Sequence, residues 1–362
     1  MSDCKECGFP RRMSRFLEWH SDGTVIGSVR PRISVMFLQV DEWDTIFGDL
    51  ADAIGMPVDH VVIEAQKNIG KDLYGMVRTI YRNINMKRIP NNRFFRPQWL
   101  AKLLVWVMRK DLARLGAGKP RVIRYRAGET LVLGFSNPCM TPMMVGNCLG
   151  IYESIEKMPG SRADYGLENS DLVIRMSHAD ERPESEGRLY LEEVEAGTGP
   201  LTYDRCSRCG VPLLVARAME WDIDRGIVGN RINGQREGMI SVQSVNAILR
   251  ELEKELGTEV VQILYEAQKR YSGKDLRDRT FEDAGEFWDR YLANMALRGL
   301  GYPEQFERTG DSVSVDIKTA YNQDLYAARL AAGVEKMTGR ESRIEWKSRE
   351  SHHGRYAITA GP

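Results

Sequence analysis

Apolar residues recur at helical spacing in several segments of this chain. The apolar positions lie three and four residues apart and most of these segments end at or near a glycine, which is typical of amphipathic helices. The predicted helices form three matched pairs, with one member in each half of the chain: 40–55 with 244–257, 60–77 with 260–276, and 97–116 with 283–301. The pattern therefore predicts that both halves have the same order of elements.

After the third helix of each half, the apolar period changes to two, as in strands. The predicted strands are 121–127, 130–136, 171–177 and 188–195 in the first half, and 305–310, 312–318, 342–348 and 355–361 in the second. A fourth helix is predicted between the strand pairs, at 141–158 and 322–339, and a hairpin opens each half, at 15–30 and 217–232. Helices grouped before antiparallel strands predict an α+β fold, with helices packed on a small antiparallel sheet in each half.

The cysteine pattern indicates that the halves are copies of one unit. Two cysteines three residues apart, followed by glycine and proline, occur at Cys4 and Cys7 and again at Cys206 and Cys209, 202 residues later. The letters EAQK recur at the same separation, at 64–67 and 266–269. Self-similarity over a domain length indicates duplication. We therefore predict two tandem pseudo-symmetric domains, residues 1–200 and 201–362, with the boundary in a turn-rich segment.

The charge balance limits the partners to expect. Lysine plus arginine equals aspartate plus glutamate, 51 against 51, so no global field attracts nucleic acid or an anionic membrane, and any such binding must be local. No apolar run approaches the roughly 18 residues of a membrane-spanning helix. We expect a cytoplasmic protein without a membrane partner, and the sequence gives little support for a nucleic-acid partner.

The two CxxCG turns favour a metal site. Thiolates at positions i and i+3 converge on one ion, and the following glycine allows the positive φ that such a turn needs. Cys4, Cys7, Cys206 and Cys209 together supply four tetrahedral ligands at a pseudo-two-fold axis. Zinc is the expected ion, with iron in a rubredoxin-like site as the alternative.

Two other arrangements of these turns stay open. The turns could be reduced and metal-free, or each could hold its own ion with acidic or histidine residues of its own copy: Glu18 and His20, or Glu220 and Asp222. The two remaining cysteines, Cys139 and Cys148, are expected to be buried free thiols. The acid and lysine of each EAQK motif are expected to form an exposed ion pair.

The back two-thirds of each copy resembles the 4-vinyl reductase domain family. The matching positions are Tyr265, Glu266, Ala267, Gly273, Lys274, Leu300 and Gly301 in the second copy, and Glu64, Ala65, Gly70, Lys71, Leu115 and Gly116 in the first. The resemblance implies a small-molecule pocket like that of hydrocarbon- and phenol-responsive regulators and of proteins linked to bacteriochlorophyll synthesis. The family's metal-binding cysteines in the closing hairpin are missing from residues 342–360, and Gln66 and Gln268 stand where the family usually has glycine. The family's metal site is therefore not carried over.

The third helices are the predicted walls of this pocket. Large apolar side chains recur there at helical spacing, and methionines at the start of the next helix could close the cavity. The predicted ligand-binding residues are Trp99, Leu103, Trp106, Met143 and Met144 in the first copy, and Tyr265, Trp288, Tyr291 and Met295 in the second.

These observations favour a non-enzymatic binding or sensor protein. It would hold a hydrophobic or aromatic small molecule, with a structural four-cysteine metal joining the repeats, and would pass a signal to another protein. The five histidines do not align between the copies, and no nucleotide-binding or hydrolase motif is present. Two alternatives stay open: an enzyme or accessory subunit of tetrapyrrole or aromatic metabolism, and an interaction scaffold without a ligand. A homodimer is also open.

Overall fold

The structure is a computed structural model, and it describes residues 3–28, 32–80, 98–157, 160–179, 193–195, 197–350 and 353–361. The helices are α1 (Arg11–Phe16), α2 (Glu42–Ile54), α3 (Asp59–Ile80), α4 (Gln98–Arg114), α5 (Thr141–Glu156), α6 (Leu213–Ala218), α7 (Val242–Leu256), α8 (Glu259–Leu276), α9 (Ala284–Leu297) and α10 (Gln323–Thr338). The strands of the first half are β1 (Leu17–Trp19), β2 (Val25–Gly27), β3 (Ser34–Gln39), β4 (Lys119–Arg126), β5 (Thr130–Ser136), β6 (Ser161–Glu168) and β7 (Asp171–His178). Those of the second half are β8 (Met219–Asp222), β9 (Ile227–Asn230), β10 (Gln235–Ser241), β11 (Gln305–Thr309), β12 (Ser312–Ile317), β13 (Ser342–Arg349) and β14 (Gly354–Ala360).

A six-stranded sheet joins the two halves, in the order β1-β2-β3-β10-β9-β8. Its central pair, β3 and β10, is antiparallel and sets Phe37 opposite Met239. The sequence analysis did not predict these two strands. Each half therefore completes the sheet of the other across a pseudo-two-fold axis.

Each half also has a four-stranded antiparallel sheet, in the orders β4-β5-β7-β6 and β11-β12-β14-β13. One strand of the closing hairpin of the first half was predicted wrongly. The predicted strand 171–177 is confirmed as β7, but its partner is β6. Residues 193–195 of the predicted strand 188–195 are not in a strand, and 188–192 lie outside the described residues. Residues 161–166 alternate in burial, but the inward side chains include Ser161 and Ala163, so the strand lacks the run of large apolar residues that marks a half-buried strand.

The helices pack both within and between the halves. Within each half, α3 packs on α5 and α8 on α10, whereas α2 packs on α8 and α3 on α7 across the halves. Side-chain caps fix several helix starts. Asn322 accepts a hydrogen bond from the Leu325 amide at the start of α10, and Asp283 accepts from the Gly285 and Glu286 amides at the start of α9.

The predicted α+β class with antiparallel sheets is confirmed. One apolar core extends through both halves, and a smaller one lies beneath the CxxC turns. Among the helices of the described ranges, none has both the length and the apolar character needed to cross a membrane.

Candidate metal centre

The four cysteines of the CxxC turns lie together. The Sγ atoms of Cys4 and Cys206 are 3.8 Å apart, those of Cys7 and Cys209 are 3.5 Å apart, and all four sulfurs lie within 4.8 Å of one another. Zn–S bonds of about 2.3 Å in a tetrahedron place sulfurs about 3.8 Å apart. The cluster therefore has the dimensions of a tetrathiolate metal site, with two ligands from each repeat.

The local backbone explains how each turn presents its two sulfurs. The amide of Gly8 donates to the Cys4 carbonyl and that of Gly210 to the Cys206 carbonyl, both at 2.9 Å. Gly8 and Gly210 have φ of 75° and 73°, in the left-handed region that favours glycine, while the space around each would admit a Cβ. Backbone conformation rather than crowding therefore requires glycine after each CxxC.

The electrostatics of the turns favour ionisation of one sulfur first. Backbone amides of Cys7 and Glu6 lower the pKa of Cys4 to about 6, whereas burial raises the pKa of Cys7 to about 12 and also raises that of Cys209. Four thiolates so close together repel one another unless a cation lies between them. A divalent ion would thus make the fully ionised cluster stable, which is the expected coupling between metal binding and proton release.

Two equivalent hydrogen bonds join the repeats in the small core next to the cysteine cluster. The Trp19 indole donates to the Leu297 carbonyl at the end of α9, and the Trp221 indole donates to the Arg114 carbonyl at the end of α4, both at 2.9 Å. The Phe9 ring lies between both indoles, with ring centroids 6.0 and 4.8 Å away. We call these two indole bonds the cross-repeat brace. Each repeat holds the third helix of the other repeat.

The brace also shows which residues at the ends of α4 and α9 are equivalent. Because Trp19 and Trp221 are equivalent, Arg114 corresponds to Leu297. The following residues, Leu115 and Arg298, also correspond. The Leu115 carbonyl accepts from the Met239 amide, and the Arg298 carbonyl accepts from the equivalent amide of Phe37. The sequence match of Leu115 and Gly116 with Leu300 and Gly301 is therefore two residues out of register, because the match relied on a dipeptide that occurs in both.

The hairpin tips make a second pair of symmetric contacts. The Gly118 amide donates to the Gly226 carbonyl, and the Gly301 amide donates to the Gly23 carbonyl. A Cβ on Gly23 would lie 2.6 Å from the Gly301 carbonyl carbon, and one on Gly226 would lie 2.6 Å from that of Gly118. Backbone meets backbone here, so larger residues would separate the repeats.

The two glutamates considered as alternative metal ligands form ion pairs with arginines instead. Glu18 accepts from the Arg32 guanidinium at 2.6 Å, and Glu220 accepts from Arg231 at 3.0 Å. Within the described ranges, the group around the sulfurs contains the four cysteines and no further acid or histidine. Cys139 and Cys148 are free and buried, as predicted.

The predicted ligand-binding residues of the second repeat lie together in its core. Trp288, Tyr291, Met295 and Tyr265 are buried, and Phe287 packs against Trp288 at 4.8 Å and against Tyr291 at 5.3 Å between ring centroids. The Tyr291 hydroxyl donates to the Arg329 carbonyl at 3.0 Å. Gly333 lies directly beneath Trp288, where a Cβ would come within 2.7 Å of the ring. Phe287, Trp288 and Tyr291 thus pack on one another and against α10.

The predicted ligand-binding residues of the first repeat are separated from one another. Met143 and Met144 are buried in α5, whereas Leu103 and Trp106 of α4 are 42% and 57% exposed. Trp99 lies in α4, and its side chain is outside the described part. The register set by the brace explains the difference. Trp106 precedes Arg114 by eight residues, as the exposed Asp289 precedes Leu297, so Trp106 occupies the position of an exposed residue of α9.

The ion pairs of the EAQK motifs are less exposed than predicted. Lys67 is 2% exposed and lies 2.6 Å from Glu64 and 3.6 Å from Glu153 of α5. Lys269 likewise lies 3.1 Å from both Glu266 and Glu335 of α10. The spacing within α3 and α8 predicted the first partner. It could not reveal that another helix covers each lysine and supplies a second acid.

A buried ionic network escaped the sequence analysis altogether. Glu42 at the start of α2 binds the guanidinium groups of both Arg298 and Arg329, and Arg298 also lies 3.1 Å from Glu237. The Nε of Arg329 donates to the Tyr321 hydroxyl at 3.1 Å. All four charged residues are buried, and they balance in sign. We call this group the Glu42 network. Its partners come from elements far apart in sequence, so no local pattern marks it.

A cleft of about 1010 Å³ lies between the repeats. Its apolar wall includes Ile26 of the first repeat and Val242 and Leu264 of the second. Two buried polar side chains also line it. The Oδ2 of Asp22 and the side-chain amide of Gln323 have no hydrogen-bond partner among the residues that the structure describes. Unsatisfied buried polar atoms are uncommon in folded proteins and suggest a missing partner.

Comparison with protein-family models, with curated proteins and with solved structures finds no match to this chain.

Proposed function

We propose that this chain is a non-enzymatic binding protein in which one metal ion, held by Cys4, Cys7, Cys206 and Cys209, fixes the two repeats around a ligand cleft. The observation that carries the proposal is the four-sulfur cluster, to which each repeat contributes two cysteines. Four protein ligands leave no open coordination position. Such a closed site stabilises and orients, and it does not activate a substrate.

Zinc is the proposed ion. Four thiolates suit zinc or iron, and zinc is the common choice for a closed structural site. The ion would lie beside the small core that contains the cross-repeat brace, since Cys4 and Cys206 are part of that core. Binding it would connect residues 202 positions apart, so much of its binding free energy would stabilise the pairing of the repeats.

The cleft is the proposed ligand site, with a small molecule that has a hydrophobic body and hydrogen-bonding groups as the ligand. Its apolar wall would contact the body of the ligand, and Asp22 and Gln323 would bind its polar end. We place the ligand here because the predicted pocket residues of α9 pack on one another.

We also propose that each repeat is a 4-vinyl-reductase-like domain. The support is the order of elements after α8, namely α9, two strands, α10 and a closing hairpin, which the first repeat matches with α4, β4, β5, α5 and the hairpin β6–β7. A hydrophobic or aromatic ligand follows from this resemblance.

Two experiments test the proposal. Cobalt substitution should give one ion per chain with the intense thiolate charge-transfer absorption of a four-sulfur site. Two ions per chain, or weak absorption typical of oxygen and nitrogen ligands, would reject the shared centre.

Native mass spectrometry of the purified protein should reveal a bound small molecule that a cleft-filling Leu264→Trp variant lacks. Leu167→Trp is the matched control, because Leu167 is exposed and does not line the cleft. Identical spectra for wild type, Leu264→Trp and the control would reject the ligand site.

A further inference from the structure

One face of α4 exposes apolar and basic side chains together. Leu103 and Trp106 are 42% and 57% exposed, and Lys102 and Lys110 are exposed beside them. The Arg109 guanidinium lies 5.6 Å from the centre of the Trp106 ring. At 3.6 residues per turn, these five positions fall within about one third of the helix circumference. They therefore form one surface.

The neighbouring strand β4 also has exposed apolar and basic side chains. It is an edge strand, and α4 packs along it. Ile123 is 44% exposed, and Arg124 is exposed beside it. Arg121 and Arg126 of the same strand have acidic partners, Asp171 and Glu129. We call Lys102, Leu103, Trp106, Arg109, Lys110, Ile123 and Arg124 the α4 face.

The second repeat shows that the fold does not require such a face. Counting back from the carbonyls of the brace, the positions of Leu103 and Trp106 correspond to Glu286 and Asp289 of α9. The strand β11, which corresponds to β4, has one acid and one base within QFERT, whereas β4 has four bases and no acid within KPRVIRYR. Leu103 and Trp106 thus stand where the second repeat has acids, and β4 is more basic than its counterpart β11.

We propose that the α4 face docks on the surface of an anionic lipid bilayer. Tryptophan favours the boundary between headgroups and acyl chains, where Trp106, Leu103 and Ile123 would insert while the bases contact anionic headgroups. The chain has no net charge, so this attraction is local to the face. A second copy of the face would bring like charges together, and a nucleic acid would leave the aliphatic side chains uncovered.

The binding is shallow and salt-sensitive. Each basic residue near an anionic membrane contributes on the order of a fivefold change in affinity, and the attraction decays within a Debye length of about 10 Å at 0.1 M salt. A single helix face that stays packed on its own repeat inserts a few side chains, so the contact is reversible.

Vesicle flotation of the full chain tests this inference. Vesicles of phosphatidylcholine with phosphatidylserine should carry the protein, and pure phosphatidylcholine vesicles should carry much less. Lys102→Gln with Lys110→Gln should weaken binding by about 25-fold, at about fivefold per charge. Leu103→Ser with Trp106→Ser should abolish flotation even at low salt.

The matched control is Arg290→Gln with Arg308→Gln, which removes two exposed positive charges from the second repeat. This variant should float like wild type. Equal loss in both double charge variants would overturn the proposal, because it would show attraction to overall charge. Absence of flotation by wild type would also overturn it, and so would selective binding of the α4 face to RNA or to an acidic polypeptide without binding to vesicles. Circular dichroism confirms that each variant is folded.

Discussion

The two repeats are alike at the base of the metal centre and differ on the exposed faces of their third helices. At the base, every main contact occurs twice: two CxxC turns, two indoles bound to opposite helix ends, and two hairpin tips against the backbone of the other repeat. On the outer surface, α9 has Glu286 and Asp289 at the positions where α4 has the exposed Leu103 and Trp106. Contacts that cross the pseudo-two-fold axis constrain both repeats together. Positions that face solvent carry no such constraint.

The Glu42 network is an instructive exception, since it lies at the interface and yet occurs once. The residue that corresponds to its Arg298 is Leu115. The same backbone contact to the central sheet is thus made by a buried arginine on one side and by an aliphatic residue on the other. The interface therefore requires the backbone contact but does not require a charged side chain at this position.

Removing the metal should have the largest effect. Cys4→Ser with Cys206→Ser should lower the free energy of unfolding by several kcal/mol, because metal binding is coupled to folding. Urea titration with and without a chelator measures this loss. The affinity for zinc should also decrease as pH falls, since protons compete for the sulfurs.

Cys148→Ala is the control for the metal experiment, because Cys148 is buried but distant from the cluster. It should retain one zinc per chain and respond to the chelator like wild type. If the serine variant and the control unfold at the same urea concentration, the metal does not join the repeats.

Breaking the Glu42 network should have the next largest effect. Arg298→Leu introduces the residue type of the first repeat but leaves Glu237 without an ion pair, bound only by the Asn230 amide, and Glu42 with Arg329 alone. This should cost about 3–5 kcal/mol in chemical denaturation. Adding Glu237→Val should recover part of this loss, because Val35 occupies the corresponding position of β3. A single variant as stable as wild type would mean that the network does not stabilise the interface.

Two tryptophans give a direct comparison of the third helices. Trp288→Ala should cost about 3 kcal/mol or more, because the ring is buried between Phe287, Phe306 and Gly333. Trp106→Ala should change stability by less than about 0.5 kcal/mol, because its ring is mostly exposed. Thermal unfolding of both variants measures the difference, and equal losses would show that α4 is packed like α9.

The smallest predicted effect concerns the fourth helices. Asn322 caps α10, whereas Met140 at the same place before α5 provides no side-chain cap. Asn322→Ala should therefore cost about 1 kcal/mol, and Asn322→Asp should keep most of the stability because it retains an acceptor. Denaturation midpoints of the two variants separate loss of the cap from general disruption.

Sequence reasoning was most successful where a feature was both local and repeated. The 202-residue repeat of the cysteines predicted their meeting, and helical periodicity predicted the helices α2, α3, α7 and α8 within a few residues. It failed where a two-residue match was used to align the repeats on the far side of an insertion. The Leu-Gly pairs put the end of α4 two residues out of register. Helical spacing alone also placed Trp106 in the pocket wall, whereas its side chain is 57% exposed.

The strands that join the repeats were also missed, for a physical reason. β3 is almost entirely buried, so it lacks the alternation that marks a half-exposed strand. β10 is a mixture of polar, glycine and apolar residues that packs only because β3 lies beside it. The Glu42 network and the cleft likewise depend on contacts between distant elements.

X-ray absorption at the edge of the bound metal is the most direct test of the shared centre. We expect one zinc per chain with four sulfur neighbours at about 2.3 Å. We also expect three sulfurs around the zinc of the Cys206→Ser variant, since Cys206 shares the site with Cys4. Two sulfurs per zinc, with oxygen or nitrogen completing the shell, would show that each turn binds its own ion and would contradict the shared centre.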